Sequence, residues 1–225
     1  MDWRLHGRLL RCNAAGGRSY YLSFFFDNME IILVRHTTPF PLLAGFPSST
    51  VLKGICYGQT DLDVTADFEV EREDVLDKIL ALKPIEKQAV IYASPLMRCG
   101  KLAHFLGEKL DAVVHLEARL KELNFGAWEN RAWNDLPQDD LMLWMNDFVT
   151  AHPPDGESYE ELNERVFAFL KSLQVLDNQC VILVTHAGVM RALMAHAQGL
   201  SLTKAFDVKL EYGAVCGVDL VLLNG

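Results

Sequence analysis

Three short apolar runs in this chain each stop at a cluster of polar side chains. Glu30 to Val34 leads into Arg35, His36, Thr37 and Thr38. Ala89 to Ala93 leads into Ser94, Pro95, Leu96, Met97 and Arg98. Cys180 to Val184 leads into Thr185, His186, Ala187 and Gly188. Ligands of open α/β sheets bind beyond the carboxyl ends of the strands, so parallel strands would bring two arginines and two histidines into one crevice. That set suits a tetrahedral dianion. Arginine offers a planar fork of N–H donors to phosphate oxygens, and histidine serves as nucleophile or proton carrier near neutral pH. A single Arg-His pair after a strand would be an ordinary solvated strand end. The same chemistry at three strand ends points to a site.

The elements that must position these residues are read from hydrophobic patterning. The three runs are rich in β-branched residues and do not alternate, the pattern of strands covered on both faces. Ala112 to Leu116 and Val215 to Leu223 are further strand candidates. Helical stretches fall between them. Val75, Leu76, Ile79, Leu80 and Leu82 mark the apolar face of one, and Leu96 to Leu110 forms a second, with Leu102, Phe105, Leu106 and Leu110 facing inward. Ser158 with Glu161 reads as a capping box, opening a helix that carries Leu162, Val166, Phe169, Leu170 and Leu173. Val189 to Ala197 follows the strand at Cys180. This alternation predicts an α/β sandwich with crossover connections. Two stretches break it. Phe40 to Thr65 holds Pro41, Gly45, Pro47, Gly54 and Gly58 and reads as a long loop, functional or mobile. Asn124 to Pro154 carries Phe125, Trp128, Trp133, Trp144 and Phe148 and reads as a helical insert, about 124–154, beside the sheet.

Composition narrows the function classes. With 225 residues and 50% hydrophobic content the chain can bury one sizeable core. A net charge of -9 speaks against nucleic acid or an anionic membrane as partner. A phosphate ligand would then require positive charge concentrated in one pocket. No run of 18 apolar residues occurs, so no transmembrane helix is expected. The five cysteines show no CxxC spacing, and Cys180 and Cys216, in apolar strand-like runs, read as buried thiols. A cytoplasmic location follows from that reading. His104, His115, His152 and His196 lack metal-ligand spacing, and neither a metal nor a cofactor is expected. The cluster Glu69, Glu71, Glu73 and Asp74 reads as a solvated face. Residues 1–28 differ from the rest, carrying Arg4, Arg8, Arg11 and Arg18 against Asp2 and Asp27. Their apolar run, Tyr20 to Phe26, is short and holds Ser23, unlike a signal peptide. Residues 1–28 are expected to be an appendage to a catalytic domain at 29–225, and Met29 offers an alternative translation start.

The segment Leu33-Val34-Arg35-His36 resembles the signature of the histidine phosphatase superfamily, which includes the cofactor-dependent phosphoglycerate mutases. Ala93 to Arg98 and Thr185 to Gly188 resemble its second and third motifs, in order. Glu122, within Lys121 to Glu129, sits where that family carries its acid. The resemblance covers roughly Met29 to Leu222. It implies a phosphoglycerate mutase-like α/β fold, a three-layer sandwich around a mostly parallel sheet. It also implies a phosphomonoesterase in which His36 attacks phosphorus, Arg35, Arg98 and His186 hold the phosphoryl oxygens, and Glu122 serves as general acid and base. In one departure, the family's usual glycine after the Arg-His pair is Thr37, and glycine permits backbone conformations that threonine tolerates poorly. Arg35 to Pro39, with Cys56 to Asp61, is similar to the α-ribazole phosphatase branch. That similarity implies α-ribazole 5′-phosphate or its cobalamin-linked form as substrate, with Thr37, Gln59 and Thr60 as substrate contacts. Trp133 and Trp144 could stack a flat base, Trp128 reads as core, and Glu129 is a backup acid. The competing readings are a broad-specificity phosphatase, a mutase that returns the phosphoryl group, and a weakly active binding module. Loss of His36, His186 or either arginine would favour the last, and all four are present. The expected partner is a phosphorylated small molecule, with a homo-oligomer left open.

Overall fold

The computed structural model describes residues 30–40, 54–82, 89–173 and 180–218. The proposed appendage at 1–28 and the start at Met29 lie outside them, as do parts of the Phe40–Thr65 loop and of the Val215–Leu223 run. In chain order the strands are β1 (Glu30–Arg35), β2 (Ile55–Cys56), β3 (Ala89–Ala93), β4 (Val113–Leu116), β5 (Arg131–Ala132), β6 (Cys180–Thr185) and β7 (Val215–Val218). The α-helices are α1 (Phe68–Leu82), α2 (Met97–Leu110), α3 (Gln138–Asn146), α4 (Tyr159–Ser172) and α5 (Ala187–Ala197).

Five strands form the central sheet in the order β4-β3-β6-β1-β7. The first four are mutually parallel, and β7 runs antiparallel to β1. Successive residues of β1 enter opposite cores. Ile31 and Leu33 pack with Leu162 and Phe169 of α4 and Val189 and Leu193 of α5. Ile32 and Val34 pack with Val75 and Ile79 of α1 and Leu102 and Leu106 of α2. The sheet is thus the middle of three layers, which explains why Ile31–Val34 of β1 and Cys180–Val184 of β6 are apolar without alternation.

The start of α4 is set by a local signal, and that of α2 by a distant one. Ser158 and Glu161 form the reciprocal capping box at the start of α4, a feature contributing on the order of 1 kcal/mol. Leu96 has no side chain able to cap α2. Instead Oδ1 of Asp61 accepts the Met97 N–H at 2.7 Å, a cap delivered from a distant loop.

Four expectations need correction. Leu80 is not on the buried face of α1; it is 46% exposed. The insert is not purely helical: it holds 3₁₀ turns and β5, which pairs with β2 from the preceding loop. Cys56, Trp128 and Leu136 form a small separate core there, so loop and insert make one unit. Glu71 is no solvated charge, since Thr38 donates to it through N–H at 2.8 Å and Oγ at 2.6 Å. Cys216 is disulfide-bonded, which removes it from the thiols that pointed to a reducing compartment.

Candidate active site

Strand register brings the site together. Arg35 lies opposite Thr185 and Ala93 opposite Val184. One residue further on, His36 N–H donates to Thr185 O at 3.0 Å and Ser94 N–H to Val184 O at 3.0 Å. The carboxyl ends of β1, β3 and β6 are therefore level, and the side chains that follow them share one crevice. The rings of His36 and His186 meet edge to face, with centroids 5.1 Å apart. Both are buried, His36 at 2% exposure. Nε2 of His186 is hydrogen-bonded to Oγ of Ser94 at 2.8 Å.

The protonation of His36 follows from its partner. Its Nδ1 lies 2.7 Å from the carbonyl oxygen of Thr37. A carbonyl can only accept, so Nδ1 carries the hydrogen and the neutral ring keeps its lone pair on Nε2. Burial holds the His36 pKa well below 6.5, reinforced by the positive charges of Arg98 and Arg35 and opposed by the Thr37 carbonyl. Burial likewise lowers His186, helped by Arg98, His36, Arg35 and Arg165. Both rings are neutral at physiological pH. Thr37 adopts no left-handed backbone, so a glycine is not needed at that position. Its side chain is buried and its Oγ1 lacks a hydrogen-bond partner.

Both arginines are anchored by backbone carbonyls. Arg98, wholly buried, donates from Nη1 to Thr60 O at 2.8 Å and from Nη2 to Gly58 O at 2.7 Å. Arg35 donates from Nη1 to Leu210 O at 2.6 Å, and its guanidinium carbon lies 4.0 Å from the Tyr212 ring centroid. Among the described residues neither guanidinium forms an ion pair. The Nε of each is buried without an acceptor.

Glu122 joins the site through the start of α5. His186 is the N-cap of that helix, and the first N–H groups of a helix have no partner inside it. Gly188 N–H donates to Oε2 of Glu122 at 3.1 Å and Leu123 N–H to Oε1 at 2.9 Å. A side chain at Gly188 would collide with this carboxylate. Gln59 and Thr60 have partners within the protein. Both are held by Glu129, which accepts the Gln59 N–H at 2.8 Å and the Thr60 hydroxyl at 2.5 Å. The Gln59 amide donates to the backbone carbonyl of Glu122 at 3.1 Å. Glu129, the backup acid, is thus the brace of the turn that holds Arg98. Tyr57 and Tyr212, in the two loops that grip the arginines, were not singled out by residue type, because nothing in the local sequence pairs them. Trp128 is core, as read from the sequence.

A sequence model of the histidine phosphatase superfamily (branch 1) matches residues 31–221. The chain belongs to that superfamily. Among its relatives, a Hydrogenobacter thermophilus protein that bears the provisional name of a phosphoserine phosphatase is 27% identical over 172 residues, 75% of this chain and 82% of the relative. The adenosylcobalamin/alpha-ribazole phosphatase of Salmonella typhimurium is 26% identical over 201 residues, 85% of this chain and 91% of the relative. The solved alpha-ribazole phosphatase of Shigella flexneri superposes with a TM-score of 0.70 at 23% identity, covering 86% of this chain and 91% of that one. The α/β architecture is therefore that of the histidine phosphatases. Among the described residues no helix is long and apolar enough to cross a membrane, and no group of three or more His, Cys, Asp or Glu side chains could hold a metal ion.

Proposed function

We propose that this histidine phosphatase hydrolyses phosphomonoesters through a phosphohistidine at His36. The observation that carries the reading is the buried His36 ring, its Nδ1 2.7 Å from Thr37 O, beside two guanidinium groups that among the described residues lack carboxylate partners. Nε2 of His36 attacks phosphorus in line, and the ester P–O bond breaks. Arg35, Arg98 and His186 hold the non-bridging oxygens, where fixed donors favour the charge of the transition state. Buried Nε donors without acceptors are costly, and a phosphoryl group would satisfy them. Glu122 gives its proton to the leaving alkoxide, then takes one from the water that attacks the phosphohistidine. Inorganic phosphate leaves, and His36 returns to its neutral form.

For the substrate we propose α-ribazole 5′-phosphate or its cobalamin-linked form. Two features support this: the Cys56 to Asp61 segment, and the similarity to relatives named for that activity. The mechanism is tested by rapid quench into alkaline detergent after mixing with ³²P-labelled ester. Label on His36 that is stable to base and lost in acid is expected, and none in the His36→Ala variant, which should not turn over. Label on serine or threonine would overturn the assignment.

A further inference from the structure

Two loops hold the two site arginines, and one contact ties those loops together. The turn at 57–60 supplies both acceptors of Arg98, Gly58 O and Thr60 O. The segment at 210–212 supplies the acceptor of Arg35, Leu210 O, and the ring on which that guanidinium rests, Tyr212. Between the loops the hydroxyl oxygens of Tyr57 and Tyr212 meet at 2.8 Å, although 155 residues separate them in the chain. The Tyr57 ring centroid lies 5.6 Å from the guanidinium carbon of Arg98. The Tyr212 ring lies 5.5 Å from the ring of His36. Arg35, Tyr212, Tyr57 and Arg98 thus make one unbroken series of contacts beside the proposed nucleophile.

We infer that Tyr57 and Tyr212 are positioning residues, whose hydroxyl pair fixes the spacing of the Arg35 and Arg98 guanidinium groups to suit the five-coordinate phosphorus of the transition state. This rests on the phosphohistidine reading above. A bound phosphate ester is tetrahedral. In the transition state three oxygens spread into one plane, and donors fixed beforehand at that spacing stabilise it selectively. Guanidinium groups free to shift would follow either shape equally and would lower the barrier less. Burial and the neighbouring Tyr212 raise the Tyr57 phenol pKa, so the hydroxyl keeps its proton and the contact persists across the working pH range. Neither hydroxyl need touch the substrate.

The test uses two inhibitors of the intact enzyme. Orthovanadate adopts the five-coordinate shape on a nucleophilic histidine, while inorganic phosphate represents the ground state. Inhibition constants, kcat and KM are measured for wild type, Tyr57→Phe, Tyr212→Phe and the double variant, at 10 °C below the melting temperature of the least stable protein. Phenylalanine keeps both rings in place and removes only the hydroxyl contact. Each single variant should weaken vanadate inhibition by roughly 3- to 10-fold, the range for one hydrogen bond. In each, kcat should fall by a similar factor, with phosphate inhibition and KM changing less than about twofold. The double variant should resemble either single one, because the contact is lost only once. Parallel weakening of vanadate and phosphate would overturn the proposal. So would a double variant showing the product of the single effects. A wild-type protein that hydrolyses no phosphomonoester and binds neither anion would overturn the phosphatase reading itself.

Discussion

At the scale of single residues, the site divides into groups that react and groups that hold. Glu122 belongs to the first in the proposed mechanism. Its replacement by Gln should lower kcat by about 10²–10⁴, the range for a general acid, and the loss should be larger for an alkyl phosphate than for an aryl phosphate. Equal losses measured for the two esters would remove its acid role. His36 and His186 make a further prediction about stability. Both have pKa values held below the ordinary 6.5 in the fold. Below about 6.5 the unfolded chain therefore binds more protons than the folded one, so stability is full above that value and declines as pH falls toward the folded-state pKa values. Urea midpoints should drop between pH 7.5 and pH 5, and the drop should shrink in a His186→Gln variant. An unchanged slope in that variant would mean other groups set it. Arg35, His36, Arg98 and His186 were legible in the sequence because each follows an apolar strand, and strand ends align by register. The hydrogen-bond partner of Thr60 was not. Its hydroxyl is engaged by Glu129, 69 positions along the chain, and no local pattern encodes such a partner.

Among the elements, the turn at 57–60 matters most to the site. A Cβ on Gly58 would run into Leu123 O, the Glu129 carboxylate and the Phe125 ring, two of them part of the unit that braces this turn. Gly58→Ala should push the turn outward and carry the Arg98 acceptors with it. A misplacement near 1 Å can cost on the order of 10²-fold in rate. We expect kcat/KM to fall by roughly 10- to 100-fold. A solvent-side control, Glu73→Gln on α1, should leave it within about twofold. If both variants behave alike in side-by-side kinetics, the turn does not set the arginine geometry. The main strands and α2, α4 and α5 could be read from patterning because each buries a full face or both faces of an element. β2 and β5 could not, since two residues each have no periodicity, and their pairing depends on Cys56, Trp128 and Leu136 meeting in space. The cap on α2 escaped for the same reason: its donor sits in α2, but the acceptor, Asp61, belongs to a separate loop.

For the whole molecule, the question is how a phosphate pocket common to many esters becomes selective. The insert is the candidate, and two of its three tryptophans, Trp133 and Trp144, differ in what they pack against. Trp144 packs against Phe125, Trp128, Trp133 and Phe148, and its indole nitrogen is buried. Trp133 is half-buried like Trp144, but its ring contacts are to Phe125 and Trp144 alone among the described residues. We expect Trp133→Ala to lower kcat/KM for α-ribazole 5′-phosphate by about 5- to 150-fold, corresponding to base stacking of roughly 1–3 kcal/mol. It should leave 3-phosphoglycerate and phosphoserine little changed. Trp144→Ala should instead destabilise the fold, by on the order of 3 kcal/mol, in a denaturant titration. Faster hydrolysis of phosphoserine than of α-ribazole 5′-phosphate by the wild type would overturn the substrate proposal and leave the phosphohistidine mechanism in place. Selectivity was the least legible property in the sequence, because it depends on which aromatic faces remain open after packing.

The position of β1 between β6 and β7 has a consequence for biogenesis. The strand that carries Arg35 and leads into His36 is made before its parallel neighbour, which lies about 150 residues downstream. At typical elongation rates that gap lasts roughly 8–30 s. Throughout it an apolar strand, later buried on both faces, waits with its backbone unpaired and open to association with other nascent chains. The arrangement that levels three strand ends into one crevice therefore also leaves β1 without a strand partner until β6 has been made.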